Sequence, residues 1–238
     1  NFDISLKDSI SSLLDSRLKN DSWIRPNLVR IAYEVSGGKD LEYIIPVMVS
    51  AELFNFSTYH SNNIFDRKNS LDYNTEFISS FVIFNLASNI ISKPNNRYDG
   101  RKILSILNFL NQKNMEVYLG QSIDLNELRI ENTKWTDNIN FELFLEKYKE
   151  RCKLIGGSTS EFCFMSGATL SDNANEINDL SQIGELFGTV MQIVNDLSDF
   201  AIYFNTENVK RYSDISSGRL TLPVYLFLKE LSSAEGLQ

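Results

Sequence analysis

The chain has 238 residues and a formal charge of −8, with 42% of its residues apolar and 12% aromatic. That length and apolar share support a sizeable buried core, in one large helical domain or two small ones. Lys and Arg are scattered instead of forming a stripe, which together with the acidic balance excludes a reader of nucleic-acid backbones.

Apolar residues recur at helical spacing nearly throughout, with no sustained period-2 alternation and no Asn-Gly hairpin signal, so the predicted fold class is all-α. Helices are predicted over 3–19, 26–37, 40–67, 74–93, 101–119, 139–172, 176–204 and 219–231. Arg25-Pro26 opens the second, Gly37-Gly38 closes it, and Lys93-Pro94-Asn95-Asn96 ends the fourth. Gly120–Asn140 and Phe204–Ser217 are polar and mixed, and both are expected as surface loops. With no linker, repeat or low-complexity tract, residues 1–238 read as a single domain, a bundle of long helices.

No apolar run approaches the ~20 residues needed to cross a bilayer, and the N-terminus lacks a signal-peptide layout; a soluble, cytoplasmic protein is expected. Cys152 and Cys163, eleven residues apart on one predicted helix, lie roughly 16 Å apart along its axis and are expected as free thiols. His60 is the single histidine. That disfavours a Ser-His-Asp hydrolase or a multi-His zinc site, leaving metal chemistry to carboxylates and amides.

Two polar patches stand out in apolar sequence. Asn62, Asn63 and Asp66 share one helix face, and Gln192, Asn195, Asp196 and Asp199 share another. A polar stripe among apolar residues is costly unless something binds it. Two such stripes facing each other could hold Mg²⁺ ions and, through them, a diphosphate.

The spacing around both patches resembles the trans-isoprenyl diphosphate synthase (polyprenyl synthetase) family, whose members carry two DDxxD motifs. Gly188-Thr189-Val190-Met191-Gln192-Ile193-Val194-Asn195-Asp196-Leu197-Ser198-Asp199-Phe200 resembles the family's G-x-x-F-Q-I-x-D-D-x-x-D-F. Ser213-Asp214-Ile215-Ser216-Ser217-Gly218-Arg219-Leu220-Thr221-Leu222-Pro223 resembles D-I-x-x-G-K-x-T-L-P. Trp23-Ile24-Arg25-Pro26 resembles the end of G-K-R-x-R-P, Gly120-Gln121-Ser122-Ile123-Asp124 resembles G-Q-x-x-D, and Arg151 stands near the family's K-T lysine. The resemblance implies an isoprenoid-synthase-type bundle with a central apolar cavity, and further C-terminal helices beyond the T-L-P helix.

The resemblance also implies site roles. Asp66 and Asp196 are the expected catalytic residues. Asn62, Asn63, Asp66, Asn195, Asp196 and Asp199 are the expected Mg²⁺ ligands, and Arg25, Arg151, Gln192, Lys210 and Arg219 the expected diphosphate contacts. Ser57 and Thr58, just before the first motif, sit where the family sets the depth of its hydrocarbon pocket; both are small, which implies a long prenyl chain. Gly184 and Gly188 are expected as close-packing positions and His60 as a packed histidine.

Departures from the pattern bear on chemistry. Asn62, Asn63 and Asn195 replace leading Asp residues, each removing a charge from the expected metal site. Ser22 and Trp23 stand where the family has Lys-Arg, and the Arg-Arg-Gly after the first motif is absent. A depleted acceptor site implies an enzyme acting on one prenyl diphosphate, held near 192–219, by cyclisation or by transfer to another acceptor. Ordinary chain elongation and a non-catalytic or regulatory subunit are the alternatives, and a homodimer or a heterodimer with a related synthase is the expected assembly.

Overall fold

The computed structural model describes residues 4–20, 23–65, 73–93, 98–131, 140–171, 176–200 and 213–235. Ten α-helices run through them: α1 Ile4–Asn20, α2 Ile24–Val35, α3 Leu41–Phe65, α4 Tyr73–Ser92, α5 Gly100–Asn126, α6 Phe141–Cys152, α7 Ser158–Leu170, α8 Ile177–Ser198, α9 Ser213–Ser216 and α10 Leu222–Glu235. A π-helical segment, Lys153–Gly157, joins α6 to α7. The class is all-α, and among the described residues the extended pairing is one isolated bridge, Arg129 with Arg219. Two compact units make up the chain, Asn1–Met115 with Thr159–Glu185 and Glu116–Ser158 with Leu186–Gln238.

In the first unit, α2 starts two residues before Pro26, which the helix tolerates because its first N–H groups lack intrahelical partners. The helix ends as its glycines dictate: Gly37 takes φ +89, and the Gly38 N–H reaches the Tyr33 carbonyl at 2.8 Å. Helices α3 and α4 pack through small residues. Ser50 donates to the Ala87 carbonyl at 3.0 Å, and Phe54 meets Phe84 and the Phe162 ring of α7 edge-on. Phe54 and Phe162 are fully buried, each worth about 1.5–3 kcal/mol of transfer free energy. Lys113 and Glu161 form a buried ion pair at 2.6 Å, with Ser181 donating to the same carboxylate.

One expectation is corrected here: Tyr73–Ser92 is long and apolar enough to cross a bilayer. Its buried face, however, carries Glu76, Ser79 and Ser80 beside Ile83, Ala87 and Ile91, the mixture of a bundle helix.

In the second unit, Ile123, Leu128, Phe144, Tyr148, Cys152, Leu220, Val224 and Tyr225 form the core, with Phe144 stacked on Tyr225 at 4.3 Å. Asn140 caps α6 by accepting the Glu142 N–H. Two loop expectations are corrected in part, where described residues test them. Helix α5 continues through Gly120 to Asn126, and Gln121, Asp124, Leu128 and Arg129 are all buried. Ser213–Ser216 is helical, while residues 204–212 lie outside the described residues. The single helix expected over 139–172 is divided by the π segment, where Gly156 rests on the Gly188 carbonyl and Gly120 on Leu154 and Ile155. Gly184 and Gly188 are buried at close contacts, as expected. Both cysteines are buried free thiols.

Candidate active site

The second patch is built by three helices of the second unit. Tyr148 and Arg151, three apart on α6, share a face; Gln192 and Asp196, four apart on α8, share another; Asp124 comes from α5. Asp196 accepts from Tyr148 at 2.8 Å and from Arg151 Nη1 at 2.6 Å on one oxygen, and from Gln192 at 3.1 Å on the other. Arg151 Nε donates to Asp124 at 2.8 Å, so one guanidinium ties α5 to α8. Arg219 Nε lies 3.0 Å from the second Asp124 oxygen, an ion pair out of hydrogen-bond line, and its Nη1 is 3.8 Å from Asp214.

These charges are deeply buried; Arg151 is 2% exposed, Asp124 1% and Asp196 5%. Burial pushes the Asp124 carboxyl up, but Arg151, Arg219 and Arg129 outweigh it and hold the group below the usual carboxylate range. Burial would lower the Arg151 pKa, but Asp196 and Asp124 carry it well above its ordinary value. Burial, then the Asp196 charge, raises the Tyr148 phenol, which stays a donor. Asp214 is pushed up to about 6, by burial first and then by Asp196, with Arg219 opposing.

Asp199 does a different task. Its two oxygens accept from the Ser213 N–H at 3.0 Å, the Ser213 hydroxyl at 2.8 Å and the Asp214 N–H at 3.0 Å, capping α9. Asn195 is exposed beside the buried Asp196. Magnesium requires oxygen ligands in near-octahedral array. Every carboxylate oxygen of Asp196 and Asp199 is already engaged, and among the described residues no group of three His, Cys, Asp or Glu side chains is placed to hold a metal ion. The two carboxylates of the second patch therefore do not fit Mg²⁺. Arg151 and Arg219 likewise face carboxylates, where diphosphate contacts were expected.

In the first unit, Asn62 is half-buried in the last turn of α3, Asn63 belongs to the same turn, and Asp66 lies outside the described residues, as does Lys210. Ser57 and Thr58 are buried, and their hydroxyls bond back to the Phe54 and Asn55 carbonyls. Burial lowers the pKa of His60, which stands near Phe56 as a packed neutral imidazole. Arg25 is half-buried at the start of α2, and its Nε is buried with no hydrogen-bond partner among the described residues.

Sequence reasoning passed over Tyr148 and gave Asp124 no role. The Tyr148-to-Arg151 spacing and the G-Q-x-x-D string were the signals available for them.

No curated protein matches this chain by sequence. Among solved structures, geranylgeranyl pyrophosphate synthetase from Pyrococcus horikoshii Ot3 superposes with a TM-score of 0.72 at 21% identity, covering 94% of this chain and 72% of that one. Geranylgeranyl pyrophosphate synthase from Lactobacillus brevis gives 0.75 at 15%, covering 98% and 70%. Geranyl diphosphate synthase small subunit from Antirrhinum majus gives 0.65 at 17%, covering 82% and 75%. At these identities the likeness shows a shared fold. The sequence profile of the polyprenyl synthetase family matches residues 64–237, well over half of the chain, and with the all-α fold and the second patch in family order this places the chain in that family.

Proposed function

We propose that the chain is a prenyl-diphosphate-dependent enzyme that binds one such substrate, and either transfers its prenyl group to an acceptor other than isopentenyl diphosphate or cyclises it. The observation that supports this is Arg25. Its buried Nε is open among the described residues, whereas Arg151 and Arg219 are committed to Asp124, Asp196 and Asp214. Two diphosphates side by side would need two sets of cationic donors. Among the described residues the supply fits one. The diphosphate is accordingly proposed at Arg25, and not at the 192–219 region that the sequence favoured.

Ionising an allylic diphosphate leaves a carbocation and a pyrophosphate, so donors must face the leaving group while apolar walls keep water from the cation. Arg25 is proposed to bind the leaving group and Asp66 to act with it, while Asp196 keeps to its ion pair with Arg151. Magnesium enters the proposal at the first patch, with Asp66 and the amide oxygens of Asn62 and Asn63 as ligands, where the phosphates themselves bring most of the balancing charge. The cytoplasm and a dimer, with itself or with a related synthase, belong to the same proposal.

Purified protein is incubated with Mg²⁺ and ten-, fifteen- or twenty-carbon prenyl diphosphates, each with and without isopentenyl diphosphate. Pyrophosphate release from one substrate, without longer prenyl products and with KM raised in Arg25→Gln, is the expected result. Silence from all three sinks the proposal; elongated products would mean ordinary chain elongation.

A second reading, a non-catalytic subunit, draws support from the closed Asp196 and Asp199 carboxylates and from the fold shared with the geranyl diphosphate synthase small subunit of Antirrhinum majus. Activity appearing only after Asp is restored at positions 62, 63 and 195 would favour it.

A further inference from the structure

We propose that the second patch is an ionic lock closed by Arg151, whose guanidinium stands where a divalent cation would have to sit, and that this patch binds no Mg²⁺ of its own. The lock concerns the disagreement between the family's expected metal site and the residues present, and it holds under either reading of function.

Arg151 reaches from α6 to Asp124 on α5 at 2.8 Å and to Asp196 on α8 at 2.6 Å. A guanidinium is planar, permanently charged and weakly hydrated, so it can stay buried as a bridge between two carboxylates. Mg²⁺ dehydrates reluctantly and needs ligand oxygens at roughly 2.0–2.1 Å, with room for several waters. Neither oxygen of Asp196 is left uncommitted: one holds Arg151 and the Tyr148 hydroxyl, the other holds Gln192. A dication brought to that carboxylate would face a buried like charge at close range.

Packing keeps the lock shut. Gly156 of the π segment lies on the Gly188 backbone, and a Cβ there would come within 2.8 Å of the Gln192 Cβ, so the segment presses against the α8 turn that aims Gln192 at Asp196. Asp199 offers no substitute, since the Ser213 and Asp214 amides hold both its oxygens. The charge that the family would place on metal is here balanced inside the chain.

The test is thermal unfolding of the full chain with EDTA, MgCl₂ or MnCl₂ and no diphosphate, for the native protein, Arg151→Met and Asp196→Asn. The native Tm is expected to be the same in all three solutions. Both variants should unfold several degrees lower, and Arg151→Met should gain a metal-dependent rise, because Asp124 and Asp196 then face a vacated cation position. A site at a hundredfold excess of metal over its Kd would raise Tm by roughly 5–10 °C in a chain of this size. Such a rise in the native protein, abolished in Asp196→Asn, overturns the proposal. A rise that survives in Asp196→Asn places the metal elsewhere and leaves the lock standing. If Arg151→Met does not fold, the other two proteins decide; if it folds and ignores metal, the guanidinium is not a cation's replacement and the proposal fails.

Discussion

Arg129 and Arg219 lie opposite each other in an antiparallel bridge, with the Ile130 N–H bonded to the Gly218 carbonyl and the Leu220 N–H to the Leu128 carbonyl, both at 2.8 Å. Two like charges are held side by side because one reaches the Ser217 carbonyl and the other turns toward Asp124 and Asp214. The turn that makes the bridge depends on Gly218, at φ +73. A Cβ there meets nothing within 4 Å, so Gly218→Ala carries a conformational cost alone, about 1–2 kcal/mol. Urea unfolding should show that loss, while Gly100→Ala, equally open but without a positive φ, should be neutral or slightly stabilising.

Asp199 supplies three hydrogen bonds to the start of α9. Asp199→Ala should cost about 1–2 kcal/mol, the range of a lost helix cap, and Asp199→Asn less, since an amide oxygen still accepts. Faster hydrogen exchange confined to the Ser213–Thr221 backbone in the Ala variant is the signature; exchange spread evenly over the chain would count against a capping role.

Asp214 gives the pH dependence a sign. Its pKa rises from 3.8 to about 6 on folding, so the folded chain holds the proton more tightly than the unfolded one. Stability from this group is complete below the unfolded pKa and is lost as pH climbs from about 4 to about 6, a loss on the order of 1–3 kcal/mol. Asp214→Asn keeps an acceptor for Thr221 and should flatten that slope. A parallel slope in the two proteins would reject the assignment. Asp124 works oppositely: its depressed pKa contributes stability above the unfolded value, lost in acid below it.

Lys113 and Glu161 are buried partners in the first unit. Lys113→Met alone strands a carboxylate and should cost about 3–5 kcal/mol, whereas Lys113→Met with Glu161→Leu should recover much of that. Additive losses in denaturant titrations would mean that the pair is not coupled.

Helical class, helix order and the Gln192–Asp196 pair on one face of α8 were legible in the sequence because apolar spacing and a distinctive string mark them. Asp124 and Arg129 were not, because a periodicity count registers apolar residues and overlooks buried charges that partner one another. Their stretch looked like a polar loop for that reason. Arg151 looked like a diphosphate contact because its charge is visible in sequence and its two carboxylate neighbours, from α5 and α8, are not. The closure of Asp199 on α9 escaped notice for the same reason: a cap across fourteen residues leaves no local pattern.

The π segment sets the counting of residues along its helix. A wheel drawn through α6 that places Tyr148 and Arg151 inward falls out of phase within Lys153–Gly157, where Gly156 meets the Gly188 carbonyl and Leu154 and Ile155 meet Gly120. Deleting one residue there would smooth the helix locally and turn these glycine contacts away from their partners. Insertions and deletions in this family member therefore carry meaning at that turn that point substitutions do not, since five residues set which side chains of the segment meet Gly120 and Gly188.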